Sequence, residues 1–374
     1  MLTAVGIVAE YNPFHNGHLY QLKEAKKKTG ADVSVVVMSG NWTQRGDPAI
    51  YDKWVRTKLA LLNSVDLVIE LPFKFAVQPA DIFARGAVNL LGNLQCTWLS
   101  FGVENAQFDF NEIVKNIKID QRNSNFKNSH AQIIQENIFE QTGLKINHPN
   151  DILGLNYAKN NQLLDLPMKI VPIKRVGDSQ HNDVKLSNDF SSATSIRNAI
   201  FDDNFSAAMQ LIPNSDELIN QSTVHWNKFW PYLRYQILES SITELNKIYQ
   251  MSEGIEYRLK SVAQNVDSFD EFLAKVRNKR FNYSRIKRLC AYILVKANEQ
   301  EMLDRQSYIR ILGFNRLGQK YLNQIKKQVS LPIITKVNDP VIQKYLELDY
   351  RSGLLFKLIG TNDQDLYHSP IIIN

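Results

Sequence analysis

The hydrophobic positions of this chain fall into short β-branched runs separated by longer stretches with helical spacing. The runs 5–9, 33–38, 65–71, 98–101 and 169–173 predict strands. Between them, 17–28, 53–63 and 81–91 predict helices; in the second, Trp54, Leu59 and Leu62 share related faces. Strands alternating with helices predict an α/β fold with a doubly wound parallel sheet, Rossmann-like in plan. In such sheets ligands collect beyond the carboxyl ends of the strands. After about Pro213 the texture changes. Helical patterns rich in Leu, Ile, Lys, Arg and Tyr run over roughly 224–328, and a segment with Pro332, Pro340 and Pro370 closes the chain. This predicts a catalytic domain over 1–215 and a mostly helical, basic domain over 216–374. Within the second, His225, Trp226 and Trp230 read most simply as interdomain packing.

The strongest chemical signal follows the first strand: Gly6-Ile7-Val8-Ala9-Glu10-Tyr11-Asn12-Pro13-Phe14-His15-Asn16-Gly17-His18-Leu19. A strand ends, a polar loop turns, and a helix begins near His18. A helix N-terminus offers free amides and the positive end of a dipole, which suits a phosphate. Gly17 lets the backbone approach a ligand closely. Two histidines three residues apart can donate to charge developing on one phosphorus. A capped structural turn or a metal pair is the bland alternative. The full strand–loop–helix context favours adenylyl chemistry with His15 and His18 as the catalytic pair.

A second signal is Phe190-Ser191-Ser192-Ala193-Thr194-Ser195-Ile196-Arg197. Ser192, Thr194 and Arg197 at a helix start suit a phosphate clamp; a plain N-cap beside an exposed Arg is the alternative. Gly102 in Ser100-Phe101-Gly102-Val103-Glu104, Asn150 in the segment from His148 to Gly154, and Arg175 after Lys174 also stand at strand ends or helix starts. The loop 39–48, with Trp42 and Arg45, suits substrate recognition or an ordinary surface turn. Further on, Lys279, Arg280, Arg285, Lys287 and Arg288 are interleaved with Phe281 and Tyr283, a pattern that fits RNA phosphates and stacking bases or a solvated helix face.

Composition narrows the class. The 374 residues are 44% hydrophobic and 22% charged, an ordinary globular balance. The net charge of +6 agrees with a polyanionic partner without demanding one. Cys96 and Cys290 form neither a disulfide framework nor a metal pattern, and no dedicated metal site is visible. The N-terminus lacks the features of a signal peptide, and no apolar run approaches the ~18 residues of a membrane span. The cytoplasm is the expected location, with no membrane partner.

With these motifs in place, the chain resembles the bacterial tRNA(Met) cytidine acetate ligase family, within the nucleotidyltransferase-like α/β superfamily. The resemblance rests on 6–18, Val37-Met38-Ser39-Gly40-Asn41, Gln44-Arg45-Gly46, Asp52-Lys53-Trp54, 66–73 and 191–197. It implies ATP-dependent activation of acetate as acetyl-adenylate. Transfer to N4 of the wobble cytidine (C34) of elongator tRNA(Met) would follow, giving N4-acetylcytidine. It places ATP contacts on 6–19, Gly102, Asn150 and Arg175, with Mg2+ implied by ATP chemistry. The chain departs from the family at Asp151, at Val103 and over Gly177-Asp178-Ser179-Gln180-His181. Two other readings stay open: a nucleotidyltransferase moving AMP or CMP onto a small metabolite, and a tRNA-binding protein with a decayed nucleotide site.

Overall fold

A computed structural model describes residues 1–116, 139–141, 143, 146–177, 190–202, 204–304, 306–366 and 368–374. Five parallel strands form its centre: β1 (Ala4–Ala9), β2 (Val33–Ser39), β3 (Leu67–Leu71), β4 (Trp98–Val103) and β5 (Lys169–Lys174). Their spatial order is β5-β4-β1-β2-β3. β1 therefore lies between β2 and β4, and the winding reverses there. That reversal opens a crevice at the carboxyl ends of β1 and β4, where an open α/β sheet binds its ligand.

β1 is apolar throughout and β2 nearly so, with only Ser34 and Ser39 polar, because both faces are covered. On one face Val33, Val35 and Val37 pack against α3 (Ala80–Asn93) through Phe83, Ala87 and Leu91. On the other, Val5, Ile7, Val36 and Met38 meet α1 (Asn16–Thr29) and α2 (Lys53–Leu62). Gly6 is required by this packing: a Cβ there would come within 2.8 Å of Leu91. Two further helices flank the crevice, α4 (Pro149–Asn161) and α5 (Ala193–Phe201).

The described residues of 216–374, expected as a mostly helical domain, hold a helical bundle and three strands. The bundle comprises α6 (Trp226–Glu239), α7 (Ile255–Gln264), α8 (Phe269–Val276), α9 (Tyr283–Val295) and α10 (Glu347–Leu358). It has its own apolar core, and Trp42 from the loop after β2 enters that core, 5.2 Å from Trp226 and 5.3 Å from Phe229 between ring centroids. The chain then returns to the sheet. β6 (Ile309–Asn315) pairs antiparallel with β3, and β7 (Ile333–Ile334) and β8 (Ile371–Ile373) pair with β6. The helical patterning over 224–328 implies helix through 309–315, where the structure has a strand instead. Ile309 and Leu312 fit helical spacing as well as a strand, and a strand buried on both faces shows no polar alternation to settle the matter.

Candidate nucleotide-binding site

The crevice holds a cavity of about 310 Å3, within the range of small-molecule sites. His15 is the N-cap of α1, and its Nδ1 accepts a hydrogen bond from Gly17 N at 3.0 Å. The His18 Nδ1 in turn accepts from His15 N at 3.3 Å. With both Nδ1 atoms acting as acceptors, each neutral ring carries its proton on Nε2. The rings lie side by side, 3.8 Å between centroids, and both line the cavity with Gly17. Gly17 is needed for this arrangement, because a Cβ would stand 2.8 Å from the His15 ring. Burial, with the nearby Arg175 and Arg197 guanidinium charges, lowers the His15 pKa to about 3. Burial, then His15 and Arg175, pulls His18 down as well. Two neutral N–H donors thus stand at the positive end of a helix.

The far wall comes from β4, β5 and α4. Gly102 lines the cavity, and a Cβ there would make only ordinary contacts, 3.4 Å to Arg175 and 3.6 Å to Gln21. Protein packing therefore does not demand a glycine at this point. Arg175 follows β5 and lies with its Nε 3.6 Å from Glu104 Oε1. Asn150 does not line the cavity; its Nδ2 donates to the same Glu104 oxygen at 2.6 Å. Asp151, beside Asn150, is fully buried. Its carboxylate accepts from Glu104 N, Asn105 N and Asn105 Nδ2 at 2.9, 3.1 and 2.6 Å, fixing the turn after β4.

Ser192 lines the cavity and caps α5, its Oγ accepting from Ser195 N at 3.1 Å. Thr194 and Arg197 stand outside the lining. Arg197 donates to Asn12 O at 2.7 Å and to Thr194 Oγ1 at 3.0 Å, tying α5 to the histidine loop. Of the segment 6–19, only His15, Gly17 and His18 line the cavity. The others shape the loop: Asn12 Oδ1 accepts from Ile50 N at 2.7 Å, and Glu10 Oε1 from Gln44 N at 2.7 Å. Burial raises the Glu10 pKa above the usual carboxylate value. The segment 178–181 lies outside the described residues.

The basic residues of α9 and the turn before it divide into two groups. Lys279 and Arg280 are exposed. Arg285 pairs with Glu253 at 3.2 Å and stacks on Phe281, and Lys287 pairs with Asp47 at 2.7 Å. Arg288 is partly buried where Gly46 presses on the helix; a Cβ on Gly46 would collide with the backbone of Lys287 and Arg288.

Sequence reading missed Tyr20, Gln21 and Asn105 in the lining. Gln21 had a legible signal, standing one helical turn beyond His18 on the same face. It also missed a charged cluster deep in the protein. Lys53 bonds Glu70 and Asp365 at 2.9 and 2.7 Å, and Arg310 contacts the same two carboxylates, each side chain 3% exposed or less. Arg56, wholly buried, donates to the carbonyls of Tyr51, Glu10, Ser39 and Gly40, pinning the ends of β1 and β2.

Comparison with known proteins places this geometry. The HIGH Nucleotidyl Transferase family model matches residues 2–368. The tRNA(Met) cytidine acetate ligase of Levilactobacillus brevis is 43% identical over 375 residues, covering 99% of this chain and 98% of that one. Its counterpart from Lactiplantibacillus plantarum is 40% identical, with 99% and 98% covered. The chain belongs to the tRNA(Met) cytidine acetate ligase family. Crystal structures of Thermotoga maritima TmcAL align over 100% of both chains at 28% identity. The TM-score is 0.90 for the apo form and 0.88 for the form bound with alpha-thio ATP. The expected α/β fold therefore agrees with that of solved family members.

Proposed function

We propose that this chain is an ATP-dependent acetate ligase. It forms acetyl-adenylate and acetylates N4 of the wobble cytidine (C34) of elongator tRNA(Met). The observation that carries the reading is the pair of neutral imidazoles, Nε2–H outward, at the head of α1 in a chain 40–43% identical over its length to ligases of that name. An acetate oxygen attacks the α-phosphorus and pyrophosphate leaves. His15 and His18 donate to the α-phosphate oxygens, whose charge grows in the transition state. Low imidazole pKa values keep the rings as donors without a fixed positive charge until phosphate arrives. Arg175 and Ser192 serve the phosphate side of the cavity; Arg197 and Thr194 hold the loop. The cytidine amine then attacks the acetyl carbonyl and AMP leaves.

Magnesium would arrive on the triphosphate. Among the described residues no group of three or more His, Cys, Asp or Glu is placed to hold a metal, whereas Mg2+ is commonly bound through substrate phosphates and waters. Residues 1–215 would carry the nucleotide chemistry and 216–374 most of the tRNA contact. Lys279 and Arg280 are the better candidates for phosphate contact, because Arg285, Lys287 and Arg288 are partly engaged within the protein. No helix among the described residues is long and apolar enough to cross a membrane, and we place the enzyme in the cytoplasm with its tRNA.

The test is a mass-spectrometric assay of tRNA from cells with and without the protein. N4-acetylcytidine should be present in elongator tRNA(Met) only with it. Persistence of the modified base after deletion, with no activity from the purified chain, would return the reading to transfer of AMP or CMP onto a metabolite.

A further inference from the structure

Glu104 is an unusual carboxylate for a cavity wall. Its side chain is only 8% exposed, yet one of its two oxygens has no partner. Oε1 is occupied, accepting from Asn150 Nδ2 at 2.6 Å and facing Arg175 Nε at 3.6 Å. Oε2 is buried and bonded to nothing. Gln21 shows the complementary feature: its Nε2 is buried without a hydrogen-bond partner. Both residues line the same cavity. A buried acceptor and a buried donor left unmatched are each unfavourable, and such groups in a folded protein call for an explanation. Mutual pairing does not supply one, since neither atom bonds the other.

We propose that Glu104 and Gln21 form the ribose-recognition subsite for ATP, Glu104 accepting from a ribose hydroxyl and Gln21 donating to one. This rests on the reading of the cavity as an ATP site. A ribose cis-diol offers donors and acceptors side by side, which is what this pair lacks. Position along α1 favours ribose over the base. Gln21 follows His18 by three residues, about 4.5 Å along the helix axis. The 2′ and 3′ hydroxyls lie at about that remove from the α-phosphate, and the far edge of adenine lies well beyond it. The terminal torsions of Glu and Gln are broad, so either head group turns toward the ligand at little expense. Asp151 and Asn150 hold the carboxylate in place: one fixes the backbone of the 104–105 turn, the other occupies Oε1. Thus Asn150 acts on the nucleotide through Glu104, and Asp151 fits its position because its two acceptor oxygens receive three donors.

The experiment measures acetate-dependent pyrophosphate exchange with ATP, 2′-deoxy-ATP, 3′-deoxy-ATP and inosine triphosphate, in wild type, Glu104→Gln and Gln21→Met. Wild type should favour ATP over at least one deoxy analogue by about 10- to 100-fold in kcat/KM, the scale of a hydrogen bond to a charged group. Glu104→Gln should shrink that preference to within about threefold, and Gln21→Met should reduce it in part. A merely structural role would lower all four substrates together and leave the ratios intact, which would overturn the proposal. So would a loss of discrimination against inosine triphosphate with the deoxy ratios unchanged, because the pair would then read the base. Should Glu104→Gln fail to fold, the deoxy ratios of Gln21→Met decide: a reduced preference supports the subsite and an unchanged one overturns it. If wild type neither binds nor exchanges ATP, the ATP reading itself falls, an outcome distinct from unchanged ratios in an active enzyme.

Discussion

The Lys53 cluster and the nucleotide crevice are both polar groupings set into an apolar interior, and they are built on opposite principles. In the Lys53–Glu70–Arg310–Asp365 cluster each cation meets both carboxylates and all four side chains are closed off from solvent, so the charges are matched even though Arg310 Nη2 and Asp365 Oδ2 have no hydrogen-bond partner of their own. It joins α2, β3, β6 and the loop before β8, so it fastens the returning C-terminal strands to the first half of the sheet. In the nucleotide crevice the polar groups are held but not matched. Two imidazoles are kept neutral by burial, Arg175 is only loosely paired, and Glu104 retains an orphan oxygen. Charges that answer one another make architecture. Charges and dipoles held in place without an answer are ready for a ligand, because the protein has already arranged them.

Breaking each cluster should therefore fail in a different way. The largest effect is expected from Arg310→Met, which leaves two buried carboxylates facing Lys53 alone. It should destabilise the fold by about 3–5 kcal/mol in urea or thermal melts, while the fraction still folded retains its rate of adenylate formation. A slow enzyme of unchanged stability would give the cluster a functional part that the geometry does not assign it. Next in size, His15→Ala and His18→Ala should each slow adenylate formation by about 100-fold or more, with a much smaller change in ATP affinity. Near wild-type rates in both would make the loop a structural turn.

A smaller effect concerns pH. An unfolded histidine titrates near 6.5, whereas the folded His15 pKa is lowered to about 3. The folded state therefore refuses a proton that the unfolded chain accepts, and stability falls as pH drops below about 6.5. Between pH 6.5 and 5 the loss ascribable to His15 should reach up to about 2 kcal/mol, and His15→Asn should remove it from the pH dependence of urea melts. The smallest effect is expected at the rim of the helical bundle. Charge reversal at Lys279 and Arg280 should weaken tRNA binding and flatten its salt dependence by a log–log slope of roughly 0.7 to 0.9 for each phosphate no longer neutralised. Adenylate formation without tRNA should be nearly unaffected, since exposed charges act over about 8 Å at physiological salt. An unchanged salt slope would move the tRNA face elsewhere.

The same contrast governs what could be read from sequence. β1, the loop and the head of α1 form one continuous segment, so the histidine motif carried its own context. Gly102 and Arg175 were legible because each follows or ends a strand that the hydrophobic pattern marks. Glu104 and Asn105 needed the fold: their meaning depends on Asp151 and Asn150, 46 or 47 residues away. The closed cluster was invisible for the same reason, with Lys53 reaching 17 residues to Glu70 and 312 to Asp365. β6 escaped because a short, doubly buried strand between helices shows no alternation. At Lys287 and Arg288 sequence shows the charge but not what packs against it, namely Asp47 on Lys287 and Gly46 on the helix backbone.

The most direct test is acetate-dependent exchange of labelled pyrophosphate into ATP by the purified chain without tRNA. Two neutral imidazole donors at a helix head are set to stabilise charge on an α-phosphate, so exchange should occur with acetate, Mg2+ and ATP alone. It should be accompanied by enzyme-bound acetyl-adenylate and fall about 100-fold in His18→Ala. Absence of both exchange and acetyl-adenylate in a folded enzyme that binds ATP would contradict activation of acetate at this site.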